Sequence, residues 1–101
     1  MLYFMIEGTF CDPLPVEQEE LQKLIKEHLA YLRKGFDQGW ILFSGPKVHS
    51  GGGVILMKAE SRTEVDDFLE GDPFVKAGVQ EYDVVEFRFH DGQEGVKSWF
   101  S

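Results

Sequence analysis

Positive charge is scarce in this sequence. Ten lysines and arginines stand against eighteen aspartates and glutamates, for a net charge of −8 at pH 7. Nucleic-acid binders need concentrated positive charge to displace phosphate counterions, so this balance argues against nucleic acid and against anionic membranes as partners. Cysteine is scarcer still. With Cys11 alone, neither an intrachain disulfide nor a cysteine-built zinc site can form. Its neighbours Phe10, Asp12 and Pro13 include no base or cation to activate the thiol. No apolar run approaches the length of a membrane span. The opening "MLYFMIEG" is short and meets Glu7 too early to read as a secretory signal, so the expected setting is the cytoplasm.

Aromatic side chains, by contrast, are plentiful. Nine phenylalanines, three tyrosines and two tryptophans in 101 residues can build a core without staples and leave aromatic surface for a partner or ligand. The length points to one domain over residues 1–101, with about 91–101 as a C-terminal tail.

Residues 2–10 are apolar and β-prone, and read as a strand covered on both faces. From about Val16 the period becomes helical, with Leu21, Leu24, Ile25, His28, Leu32 and Phe36 on one stripe. Glu17, Glu19 and Glu20 suit the positive end of that helix, and Gly35 and Gly39 mark where it weakens and stops. "WILFSG" and "GVILMKAE" follow as two strands of a hairpin. In "SRTEVDDFLE", Ser61 and Glu64 have capping-box spacing for a second helix. "EYDVVEFRFH" alternates as a fourth strand. The order is β-α-β-β-α-β: an α+β, ferredoxin-like fold with two main helices on one face of a four-stranded antiparallel sheet. The other face needs a cover. A second copy of the chain, pairing sheet to sheet as a homodimer, is the simplest one, and Trp99 and Phe100 are expected to latch onto it.

His28 sits on the apolar stripe, where an imidazole must find a hydrogen-bond partner. It is either a satisfied core histidine or a general acid/base. Asp72, in "EGDPFVKAGV", is a favoured N-cap with Pro73 at the first helical position, or else a chemical partner for His28. The two helices share a face, so both roles are open. Ser44, in "FSGP", is a ligand hydrogen-bonder or part of an ordinary turn. "HSGGG" is not a phosphate loop, because no lysine follows the glycines and they open a strand. His49 and His90 lack ligand-like spacing, so no metal is expected, and no cofactor motif is present. Glu7, Glu86 and Arg88 are expected to form a charged row across the first and fourth strands.

Taken together, "HLAYL" (His28 to Leu32), "GWILFSGP" (Gly39 to Pro46) and "GDPFVKAGV" (Gly71 to Val79) resemble the YciI-like, or YCII-related, family. The resemblance runs from the first strand to the fourth. It implies a ferredoxin-like subunit pairing into a dimeric α+β barrel, and a site built from a first-helix histidine and the aspartate of the Asp-Pro-Phe stretch, here His28 and Asp72. Ser44, Gly45, Pro46 and Phe74 are the expected substrate contacts. Many members carry an arginine one turn before the histidine. This chain has Ile25 there, a departure that bears on any anion-binding role of that arginine. Some relatives resemble lyases of small chlorinated rings, and the wider superfamily includes isomerases and cofactor-free oxygenases. Two readings follow: a cofactor-independent lyase or isomerase using His28 and Asp72, or a non-catalytic, ligand-binding or accessory dimer in which they are a structural pair.

Overall fold

A computed structural model describes all 101 residues, Met1–Ser101. The elements are β1 (Leu2–Phe10), α1 (Gln18–Asp37), β2 (Ile41–Pro46), β3 (Gly53–Ala59), α2 (Arg62–Glu70), α3 (Pro73–Lys76), β4 (Gln80–Phe87) and α4 (Glu94–Lys97), with a closing 3-10 turn at Ser98–Phe100. The four strands form one antiparallel sheet in the order β2-β3-β1-β4. This is the ferredoxin-like α+β arrangement.

Alternation divides the strands between two environments. Phe4 and Ile6 of β1, with Ile55, Met57 and Ala59 of β3, turn toward the helices and join Leu32, Val65, Phe68 and Leu69 in the main core. A second cluster, Leu21, Leu24, Phe74 and Val79, ties α1 to α3. The stripe on α1 explains both contacts, since the residues that repeat at helical spacing face inward. Gly35 does not end this helix. It is buried inside it, where a Cβ would lie 2.4 Å from Ile41 Cδ1, so the glycine permits close packing on β2. The helix stops at Asp37, and Gly39 supplies the positive φ (80°) that turns the chain into β2.

The opposite sheet face is open except at one end, where the C-terminal aromatics lie over Tyr3, so most of β1 is covered on one face only. Phe43, Leu56, Met5 and Val85 lie side by side across all four strands of that face. Of these, Phe43, Met5 and Val85 are 48%, 53% and 61% exposed. The anticipated charged row does not form: Glu7 lies on the open face opposite Asp83, whereas Glu86 is opposite Phe4 and points the other way. One residue of register separates the two faces. Glu7 instead pairs with Lys47 at 2.9 Å, and Lys47 also donates to Thr9 Oγ1 at 3.0 Å.

Trp99 and Phe100, the residues expected to latch onto a second copy, pack here against the sheet of their own chain. Tyr3, Phe87 and Phe89 surround Phe100, with Phe89 stacked at 4.0 Å. Trp99 Nε1 donates to the Gly39 carbonyl at 3.0 Å, and Lys58 and Tyr3 donate to the Trp99 and Phe100 carbonyls. The tail carries enough aromatic surface to satisfy itself within the chain.

Candidate functional site

Two local signals bring the site together. The helical stripe aims His28 from α1 toward the sheet, and the Asp-Pro pair starts α3 beside it. Asp72 is the N-cap of α3: its Oδ1 accepts from the Phe74 amide at 2.9 Å, with Pro73 at the first helical position. The α2 cap forms as the Ser61/Glu64 spacing predicts, with Ser61 Oγ accepting from the Glu64 amide at 3.2 Å. Glu64, however, reaches back to the amide of Glu60 and not to that of Ser61.

The cap on α3 also holds the histidine. His28 Nδ1 lies 2.9 Å from Asp72 Oδ1 and 2.8 Å from Oδ2, across 44 residues of sequence. A carboxylate only accepts, so Nδ1 carries the proton and donates. Asp72 is 0% exposed, and a buried carboxylate is tolerated only when its lone pairs are satisfied. A third donor completes the set: the Tyr82 hydroxyl, 2.5 Å from Oδ2. Burial, and then the Asp72 charge, push the Tyr82 phenol well above its ordinary range. The same two causes, in the same order, raise Tyr31, whose hydroxyl donates to the Phe68 carbonyl at 2.7 Å.

The imidazole ring stacks on Phe74, centroids 4.3 Å apart at 16°. Its Nδ1 faces the carboxylate. Its Nε2 makes no hydrogen bond within the chain, and His28 borders a cavity of about 370 Å³ between α1, α3 and the sheet. That volume suits one small organic molecule. Ser44, Gly45, Pro46 and Phe74, the expected contacts, all line it, and so does Ile25.

Sequence reasoning missed Tyr82 and Gln80, which line the same cavity. Both point to the helix side of β4, alternating with Glu81 and Asp83, and the period of two was the signal available. The strand begins at Gln80, one residue before the expected boundary. Gly8 explains how they fit. It lies opposite Tyr82, and a Cβ there would stand 2.7 Å from Gln80 Cδ and 2.9 Å from Tyr82 Cε1. The bare backbone of Gly8 leaves room for the Tyr82 ring to lie across β1 and reach Asp72. The remaining histidines, His49 and His90, are not among the lining residues.

No curated protein matches the chain. Among solved structures, the 5-chloro-2-hydroxyhydroquinone dehydrochlorinase of Burkholderia phenoliruptrix AC1100, in complex with 2,5-dihydroxybenzoquinone, is 28% identical. That match covers 89% of this chain and 95% of that one, with a TM-score of 0.68. Muconolactone isomerase is 12% identical over 91% of this chain and 94% of that one, with a TM-score of 0.74. An antibiotic biosynthesis monooxygenase, 14% identical over 90% of this chain and 100% of that one, superposes with a TM-score of 0.52. The latter two show the shared ferredoxin-like α+β fold. Residues 1–88 match the YCII-related domain, which spans all four strands and both sides of the His28–Asp72 contact; the chain belongs to the YCII-related family.

Proposed function

We propose that the protein is a cofactor-independent enzyme of lyase or isomerase type, moving a proton on a small cyclic or carbonyl-bearing molecule held beside His28. One observation carries this reading: Nδ1 is committed to a buried carboxylate while Nε2 is left unbonded at the wall of a ligand-sized cavity. With the proton on Nδ1, the lone pair of Nε2 is the base. It takes a proton from a carbon next to a carbonyl, or from a ring hydroxyl. Asp72 stabilises the resulting imidazolium, and Phe74 and Tyr82 hold Asp72 in place. The electron pair left on the substrate has two outlets. When the proton comes from carbon, the pair expels a leaving group from the adjacent carbon. From either site, the substrate can instead take the proton back from Nε2 at a different atom. For a hydroxylated ring, this return to a ring carbon sets up the carbon acid from which the leaving group is then lost. Ser44 and the backbone near Gly45 are placed to hold a polar substituent. The dehydrochlorinase among the relatives supports the first outlet on a hydroxylated ring.

A second copy of the chain is the occupant we assign to the open sheet face. The apolar row Phe43, Leu56, Met5 and Val85 is the surface that it would cover, and the shared fold is that of dimeric barrels. The tail, lying over Tyr3 and Phe87, borders this row.

The test is His28→Gln, assayed on ring substrates found by screening the parent for eliminations and keto–enol isomerisations. Loss of a general base costs roughly 10²- to 10⁴-fold in kcat/KM. The glutamine amide can keep a donor on Asp72, so the urea midpoint should stay near the parent's. Full turnover in a folded His28→Gln variant would sink the reading. The competing account, a non-catalytic ligand-binding dimer, draws on the three donors that satisfy Asp72, as a structural hub requires. It predicts that the same substitution lowers stability and affects nothing else.

A further inference from the structure

We propose that the His28 cavity selects an uncharged, ring-sized molecule and rejects carboxylates, with Ile25 on its wall and Leu29 at its mouth setting that preference; this rests on taking the cavity as the reaction site. Its fifteen lining residues include no lysine, arginine, aspartate or glutamate. The lysine next to the lining residue Pro46, Lys47, is already engaged by Glu7 and Thr9.

The histidine does not supply the missing charge. Neutral His28 with ionised Asp72 is a pair of net charge −1, and imidazolium with the same carboxylate is a pair of net charge zero. In neither state does an entering anion meet net positive charge. The chain as a whole, at −8, adds a repulsive background. An anion leaving water for this apolar cavity would therefore give up its hydration without a counter-charge, which is costly. An uncharged ring meets what the walls offer: aromatic surface from Phe10 and Phe74, aliphatic surface from Ile25 and Leu32, and neutral hydrogen-bonding groups on Ser44 and Gln80. Phe10 and Phe74 meet edge to face at 5.3 Å, leaving a ring wall next to the imidazole.

Two probes of one shape separate charge from fit: 4-hydroxybenzamide, and 4-hydroxybenzoate at a pH where its carboxylate is ionised. Both are titrated into the intact protein, with binding read by amide shifts of the lining residues. The parent should bind the amide at least about tenfold more tightly than the carboxylate. Ile25→Arg should abolish or reverse that ratio by improving carboxylate binding. Should Ile25→Arg fail to fold, Leu29→Arg replaces it, because Leu29 is 59% exposed and tolerates a long cationic side chain. Carboxylate binding equal to or tighter than amide binding in the parent overturns the proposal. So does failure of 4-hydroxybenzamide to bind, or folded arginine variants that leave the ratio unchanged. Because the readout is binding, the two readings fail separately. A lost preference with His28-dependent turnover intact removes the ligand class alone, and a clear preference in a protein without turnover removes the chemistry alone.

Discussion

Removing one oxygen, in Tyr82→Phe, tests whether the carboxylate beneath His28 is held as described. The phenol donates to Asp72 Oδ2 at 2.5 Å, and Asp72 is wholly buried. A hydrogen bond to a buried charge contributes about 1.5–3 kcal/mol, and the substitution leaves the Phe74 amide and His28 in place. For a chain of this length, about 4 °C of Tm per kcal/mol gives a loss of about 6–12 °C near neutral pH. The dependence on pH is sharper. The folded-state pKa of Tyr82 is raised, so the folded protein holds this proton after the unfolded chain has released it. The contribution is therefore fully present below the unfolded value of 10.0 and is lost as pH rises toward the folded value. One proton per molecule amounts to about 1.4 kcal/mol per pH unit. Urea unfolding of parent and variant at pH 7 and pH 11 should thus show a stability difference smaller by about 1.4 kcal/mol at the higher pH. Tyr31, also raised, is common to both chains and cancels. An equal difference at the two pH values, or one below about 0.5 kcal/mol at pH 7, would refute the coupling between Tyr82 and Asp72.

Other substitutions probe the supports. Gly8→Ala places a methyl group where Gln80 and Tyr82 lie, and should cost about 1–3 kcal/mol by urea denaturation. Combined with Tyr82→Phe it should cost less than the sum of the two, because both loosen the same ring. Trp99→Ala removes the indole bond to Gly39 and the Lys58 ammonium contact, 4.6 Å from the ring centroid. A loss of about 1–3 kcal/mol in thermal unfolding is expected, below that of a fully buried tryptophan. Arg33→Ala and Arg62→Ala break exposed ion pairs one helical turn apart, with Asp37 and Asp66, and should each shift stability by less than about 0.5 kcal/mol. A larger shift from either arginine would mean these side chains do more than pair on the surface.

Much of this protein was legible before any coordinate. The period of 3.6 on residues 18–37 and the period of two on residues 80–87 are local properties, and they place His28 and the sheet side chains on the right faces. The Asp-Pro start of α3 is equally local, because a cap involves residues two apart. Contacts between distant segments were not legible. Whether Asp72 reaches His28 depends on how α1 packs on α3. Whether Tyr82 joins them depends on a register that sets it opposite Gly8 and on the missing Cβ there. Glu7 and Glu86 separated onto opposite faces because one residue of register reverses every side chain, and composition carries no register. The tail folded back on Tyr3 and Phe87 because its aromatic residues found a surface within their own chain. Sequence determined where the four strands and the two main helices lie and which stripe of α1 turns inward. The tertiary structure alone decided which of their faces meet, because hydrogen bonds and packing act over a few ångströms between groups that the chain order keeps dozens of residues apart.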